Sequence, residues 1–320
     1  MAPAAVHRIQ GDFAPAGGGF ALNLHAPPMK RFLRRLVVAL VAVATLGGAG
    51  CVYLETSERE LVYRPVRDYA RTPADVGLAY EELWLAVARQ DGSGEERIHG
   101  WWLPAARSDA PTLLYLHGVR WSLGNNLFRI ARWRELGFNV LAIDYRGFGR
   151  SDGTLPSEAL IEADARAAWA EVRRREPRED RRFIYGHSLG AAVALELAVS
   201  ERGAAGIIAE SGFTSLADVV ADRSLPVGWL LTQRFDSLER VGALAMPSLV
   251  IHGTADTVVP AWMSERLHAA APAPKRLLLI EGGSHSNFAG TGMPLLQREV
   301  ADFVRLAGER AQEGANVTMR

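Results

Sequence analysis

Ser188, Asp256 and His285 are the residues of this 320-residue chain whose types and order point to chemistry. Ser188 lies in Gly186-His187-Ser188-Leu189-Gly190, after the β-prone run Arg182 to Tyr185 and before the helix-forming stretch Ala191 to Val199. A strand, a tight turn and a helix in that order project one side chain from a strained backbone, and the flanking glycines leave room for it. A serine hydroxyl is a weak nucleophile. It needs such exposure, a base within reach, and N–H groups around the carbonyl it attacks. The Gly-x-Ser-x-Gly pattern says little alone in a chain with 31 glycines, but its strand and helix flanks make it specific.

A serine so placed predicts an acid and then a histidine further along, each in a loop after a strand. The apolar run Ser248 to His252 leads into Gly253-Thr254-Ala255-Asp256, a turn that presents a carboxylate, and Asp256 is the candidate acid. Asp222 and Asp236 stand as substitutes should Asp256 serve only its turn. The run Arg276 to Ile280 ends in Glu281-Gly282-Gly283-Ser284-His285, and His285 is the candidate base. Neutral His285 would take the Ser188 proton while Asp256 fixes the imidazole tautomer and stabilises its charged form. Activity is then expected to fall in acid, as His285 takes up a proton. Two N–H groups are expected to face the developing oxyanion. Leu189 supplies one, and Val119, after the strand Thr112 to Leu116 and His117-Gly118, supplies the other.

Other polar residues read as structural. His117 and His252 sit at strand ends beside glycines, His187 packs or orients within the turn, Asp144 and Arg146 brace a loop as a pair, and Ser211 caps a helix. Several segments together resemble the α/β-hydrolase superfamily and, within it, the BEM46-like group of membrane-anchored serine hydrolases. They are Tyr115-Leu116-His117-Gly118, Asp144-Tyr145-Arg146-Gly147-Phe148-Gly149-Arg150-Ser151, the Ser188 turn, Phe235-Asp236-Ser237-Leu238 and Ile251-His252-Gly253-Thr254-Ala255-Asp256, spread over about residues 60 to 307. Val119-Arg120-Trp121 departs from that pattern, which would place a small polar residue such as Asn there.

The elements needed to position these residues follow from periodicity. Strands are expected near Ala79 to Val87, Arg97 to Leu103 and Thr112 to Leu116. Helices and strands then alternate, with a long helix over Glu158 to Arg175 and a final helix near Pro294 to Leu306. Such alternation predicts an α/β fold with a mostly parallel sheet covered on both faces, and the resemblance implies that it is the α/β-hydrolase fold with a short lid. The stretch between Phe213 and Ala245 is the only room for a lid, with Trp229, Leu230, Leu231 and Phe235 as its apolar candidates. So short a lid predicts an open site without interfacial activation.

Ahead of that body, Lys30, Arg31, Arg34 and Arg35 precede Leu36 to Leu54, an uncharged run of about 19 residues that spans roughly 28 Å as a helix. The chain therefore divides into a leader or mis-assigned start (1–28, with Met29 next), a signal or anchor segment (29–54) and one α/β domain (55–320). Positive charge ahead of the apolar run places the body on the extracytoplasmic side. Cys51, the only cysteine, follows Gly48-Ala49-Gly50 and resembles a lipoprotein acylation site, so the tether is either a retained anchor or a lipidated Cys51.

Thirty-six basic and 36 acidic residues cancel, and no basic stripe with interleaved aromatics appears, which argues against nucleic acid. No phosphate loop or His/Cys cluster at ligand spacing implies a cofactor or metal. The reading is a serine hydrolase of carboxylic esters or thioesters. A serine peptidase on the same fold and a catalytically silent envelope binding module are the alternatives; enzymes that use a carboxylate where Ser188 stands are disfavoured.

Overall fold

The computed structural model describes residues 34, 37, 48, 50–67, 69, 71–153, 155–223, 228–287 and 292–318. The chain divides into two compact units, Met1–Val52 and Tyr53–Arg320. The expected leader and most of the expected anchor lie outside the described residues. Among those described, no helix is long and apolar enough to cross a membrane, and Cys51 is exposed.

Helix α1 is described over residues 50–63, of which 53–63 belong to the second unit, and that unit is built on an eight-stranded sheet. Its strands are β1 (Glu81–Ala88), β2 (Glu95–Leu103), β3 (Thr112–Leu116), β4 (Asn139–Ile143), β5 (Arg182–His187), β6 (Gly206–Glu210), β7 (Ser248–Gly253) and β8 (Lys275–Ile280). The order is β1-β2-β4-β3-β5-β6-β7-β8; β2 pairs antiparallel with β1 and β4, and every later pair is parallel. Helices α2 (Leu123–Glu135), α3 (Glu158–Arg175), α4 (Leu189–Ser200), α5 (Leu216–Asp222), α6 (Ser237–Val241), α7 (Ala261–Ala270) and α8 (Gly292–Thr318) connect and close it.

Period-two alternation explains the two cores. Leu114, Leu116 and Ile184 point to the face covered by α3, α4, α6 and α7, through Trp169, Val193, Val241 and Met263. Leu113, Tyr115, Phe183 and Tyr185 point to the other face, against Trp133 of α2 and Phe303 of α8. Each fully buried side chain of this kind contributes about 1.5–3 kcal/mol, so a sheet buried on both faces is the stiffest part of the molecule.

The chain leaves β3 for β4 on one side and then crosses to β5 on the other. The helices that follow β3 and β5, α2 and α4, therefore lie on opposite faces of the sheet. That reversal opens a crevice beyond the carboxyl ends of two adjacent strands, where ligands bind in open α/β sheets.

Several expectations need correction. Helix α8 runs past Leu306, because Arg305 with Glu309 and Arg310 with Glu313 continue its outer face in charged pairs after the apolar pattern fades. Phe235 is no lid residue: it is buried in the core edge-on to Tyr63 at 6.4 Å. Asp144 and Arg146 brace loops without pairing. Arg146 Nε donates to Asp164 Oδ1 at 2.8 Å, while Asp144 Oδ1 accepts from the Leu123 N–H at 2.9 Å. Ser211 caps nothing; the α5 cap is Ser215, whose side chain accepts from the Asp218 N–H.

Candidate active site

Ser188 stands between β5 and α4 with φ 55° and ψ −122°, a backbone that an L-residue holds only under strain. The surroundings over-determine it. The Ser188 N–H donates to the Glu210 carbonyl at 2.9 Å, and its own carbonyl accepts from the Ala191 N–H at 2.9 Å. A Cβ on Gly186 would overlap the Gly190 carbonyl, and one on Gly190 would overlap the carbonyls of Leu116 and His117. Those obstacles are backbone, so nothing can move aside. Gly190→Ala is expected to cost about 3 kcal/mol, seen as a lower urea midpoint.

The loops after β7 and β8 bring Asp256 and His285 to this serine from 68 and 97 residues along the chain, the longer separation bridged directly. His285 Nε2 lies 3.1 Å from Ser188 Oγ, and His285 Nδ1 lies 2.7 Å from Asp256 Oδ2. A nitrogen facing a carboxylate carries the proton, so Nδ1 donates and Nε2 is left to accept from the hydroxyl. Asp256 Oδ1 accepts from the Val258 and Val259 N–H groups at 2.8 and 2.9 Å. Burial alone would push the Asp256 carboxyl upward, but hydrogen bonds from His252 and His285 outweigh it and hold the group well below the usual carboxylate range. It stays charged wherever an imidazole titrates. Asp222 is exposed at the end of α5, and Asp236 pairs with Arg234 at 2.7 Å, so neither stands in for it.

The His285 loop is held from behind. Its carbonyl accepts from His187 Nε2 at 2.8 Å, and the next carbonyl, of Ser286, accepts from Arg129 Nη2 at 3.0 Å. Burial, then the Arg129 charge, drives the His187 imidazole well below its ordinary range, so the ring is neutral and offers its one N–H here. Arg129 is buried and faces Glu210 Oε1 at 3.3 Å; Glu210 Oε2 in turn accepts from Arg132 at 2.6 Å and the Tyr185 hydroxyl at 2.9 Å. His187, expected to pack or orient within the turn, makes this contact to the His285 carbonyl.

Three contributors were not read from sequence. Arg129 and Glu210 form the buried pair just described. The one available signal was Arg129 and Arg132 at helical spacing on a face otherwise marked by Leu123, Leu127, Ile130 and Trp133. The third is His252, whose Nε2 lies 3.1 Å from Asp256 Oδ2 and 2.9 Å from the Val259 carbonyl. Both neighbours accept, so Nε2 is a donor, and the same carboxylate oxygen serves His252 and His285. His252 Nδ1 meets Ser264 Oγ at 2.6 Å. His117, by contrast, is buried with Nδ1 against the Gly118 carbonyl at 2.6 Å, and is structural as expected.

The Val119 and Leu189 N–H groups find no acceptor among the described residues. Arg120, next to Val119, has φ 69°, and its N–H donates to the Tyr63 carbonyl of α1 at 3.2 Å. A left-handed position explains why Asn would be the ordinary occupant. Ser188 is 8% exposed and lies at the base of a cavity of about 730 Å³ walled by Val62, Phe213, Leu216, Val219, Leu231 and Val259. Arg120, Arg223 and Glu58 also line it, but Glu58 is occupied by the N–H groups of Thr232 and Gln233 at 2.9 Å each. Among the described residues no group of three or more His, Cys, Asp or Glu is placed to hold a metal ion.

A mostly parallel sheet with a serine turn after its fifth strand, and an acid and a histidine in later strand-end loops, defines the architecture of an α/β hydrolase. The family model described as serine aminopeptidase, S33 (Hydrolase_4) matches residues 108–239. A Mycobacterium tuberculosis protein, Rv2307c, is 36% identical over 263 residues, covering 81% of this chain and 90% of its own. The lysophosphatidylserine lipase ABHD12 of Danio rerio is 32% identical over 200 residues, 55% of this chain and 51% of that one. Among solved structures, the Pyrococcus furiosus esterase Pf2001 superposes with a TM-score of 0.60 at 21% identity, over 75% of this chain and 98% of that one. The chain belongs to the α/β-hydrolase superfamily and is a hydrolase.

Proposed function

We propose that the protein is a serine hydrolase of carboxylic esters with an apolar acyl group, acting through an acyl-enzyme on Ser188. The observation that carries this reading is the unbroken Ser188–His285–Asp256 contact at the base of an apolar cavity. In the acylation step His285 Nε2 takes the Ser188 proton as Oγ bonds to the carbonyl carbon, and the Val119 and Leu189 N–H groups receive the oxyanion. Collapse returns the proton to the leaving alkoxide. Water, activated by the same imidazole, then releases the acid. A thioester fits the same sequence with a thiolate leaving. Turnover of p-nitrophenyl esters of increasing acyl length by the full chain tests the reading, with a preference for medium or longer chains expected. A folded protein that turns over none of them, but cleaves aminoacyl amides, would replace it with the peptidase reading. Against that outcome, Glu58 is the carboxylate available in the cavity for a peptide amine, and backbone donors already engage it.

His252 acts in this scheme as a positioning residue for Asp256. His252→Phe is expected to lower kcat on the order of ten- to hundredfold, the worth of one hydrogen bond to a charged group, with KM unchanged. Without that donor, Asp256 carries more of its charge toward His285 and holds the imidazolium more tightly. The acid limb of kcat/KM should therefore move to higher pH. A variant that loses thermal stability but keeps the limb in place would make His252 purely structural.

The body is tethered to a membrane by the apolar stretch Leu36 to Leu54, on the extracytoplasmic side, through a retained anchor or a lipidated Cys51. The sequence pattern supports this. Membrane fractionation of the wild type and Cys51→Ala, with metabolic labelling by a fatty acid, tests it; release of the Cys51 variant would select the lipidated form.

A further inference from the structure

Exposed apolar side chains line or adjoin the cavity that holds Ser188. Trp229 is 79% and Leu230 54% exposed, immediately before Leu231 in the cavity wall. Leu61 and Val258, both lining residues, are 61% and 44% exposed. Trp121 lines the cavity too, and its exposed neighbour Phe128 packs edge-on to it at 6.5 Å. Scattered exposed apolar residues need no explanation, but several that line or directly adjoin one opening mark an interaction surface.

Two further observations say what covers it. Helix α1 carries the exposed Tyr53 and Leu54, at the end of the apolar run Leu36 to Leu54, and reaches Glu58, Leu61 and Val62 in the cavity wall within eight residues of Leu54. At 1.5 Å per residue, the mouth stands only about 12 Å along the helix from where that run ends. The second observation is charge. Arg120 and Arg223 line the opening, and no carboxylate among the described residues pairs with either, while Glu58 is engaged by backbone donors.

We propose that this mouth rests on the surface of a bilayer containing anionic lipid, and that the ester hydrolysed at Ser188 is an amphiphile that enters from that bilayer. The proposal names the substrate class for the site and rests on the ester reading above. Trp and Leu at the rim sit at the level of the headgroups, and the arginines neutralise lipid phosphate. The acyl chain then passes from one apolar medium to another without crossing water. Because the cavity is already open, an ester dissolved in water gains nothing from the lipid.

The test uses the full chain reconstituted in phosphatidylcholine vesicles with a minority of phosphatidylglycerol, and the double variant Trp229→Ser, Leu230→Ser. Two substrates are compared, a short p-nitrophenyl ester in solution and a long-chain fluorogenic ester resident in the vesicle. The variant is expected to match the wild type on the soluble ester and to lose roughly tenfold or more on the resident one. Brominated lipid should also quench less of its tryptophan fluorescence than of the Trp229→Phe-corrected wild-type signal. Equal rates on both substrates, or equal loss on both, would overturn the proposal. Replacing phosphatidylglycerol by phosphatidylcholine should slow only the resident ester, and an unchanged rate would remove the anionic lipid from it. If the wild type hydrolyses neither ester, the ester reading fails, and the quenching alone decides whether the mouth meets lipid.

Discussion

Ser188→Ala is expected to abolish ester turnover, by roughly a millionfold on the scale seen when the serine of a comparable triad is removed. Removing Oγ leaves His285 Nε2, 3.1 Å away, with no proton to accept and the substrate carbonyl with no nucleophile in the enzyme. What remains is binding, plus the Val119 and Leu189 N–H groups acting on water. The fold should be indifferent to the change. The strained backbone at position 188 is fixed by its N–H and carbonyl partners rather than by the side chain, so the urea midpoint is expected to stay put. Burst-phase and steady-state release of p-nitrophenol measure the first expectation. Residual turnover above a few thousandths of wild type would show that Ser188 is not the nucleophile.

Asp256→Asn should cost on the order of ten-thousandfold in kcat, and the structure gives a specific reason. Oδ1 accepts from two backbone N–H groups, of Val258 and Val259, so the one oxygen of an asparagine must occupy that position. Its NH2 group then faces His252 Nε2 and His285 Nδ1, where Oδ2 had accepted from both. His285 can accommodate a donor there only by moving its proton to Nε2, and in that tautomer it cannot take the serine proton. His252 must turn its own donor away as well. Nitrogen-resolved NMR of the imidazoles should report the switched tautomer directly. A loss of tenfold or less, with His285 still protonated at Nδ1, would mean that the carboxylate does not govern the base.

How much of this was legible in sequence divides along physical lines. The Ser188 turn, Asp256 and His285 were readable because each belongs to a local strand-to-loop pattern whose meaning does not depend on distant contacts. The long helix α3 was readable for the same reason. The support behind the site was not. Arg129 meets Glu210 across 81 positions, and its link to Ser286 spans 157, so no window of sequence contains either pair. His252 looked structural because a histidine at a strand end beside glycine usually is; only the turn that folds Asp256 back by four residues places them together. Ser211 illustrates the opposite error. A serine after a strand suggested a cap, but φ 52°, burial and an N–H bond to the Ile251 carbonyl of β7 at 2.8 Å hold it at the end of β6, while Ser215, four residues on, meets the helix. Phe235 misled because an apolar residue in a long connection reads as surface until its partner Tyr63, on the other side of the chain order, is known.

The hydrogen bond from the Arg120 N–H to the Tyr63 carbonyl joins the loop bearing the Val119 N–H to a helix outside the matched family segment, 108–239. Tyr63 is also fully buried, its hydroxyl donating to Gln233 at 2.7 Å, and Arg59 Nε binds the Pro156 carbonyl at 2.8 Å. Helix α1 is therefore a working part of the enzyme body. A chimera that joined this sheet to another protein's export segment at residue 64 would inherit the serine, the acid and the base but would lose a wall of the cavity and the brace on one oxyanion donor. A junction at or before residue 53 would keep both.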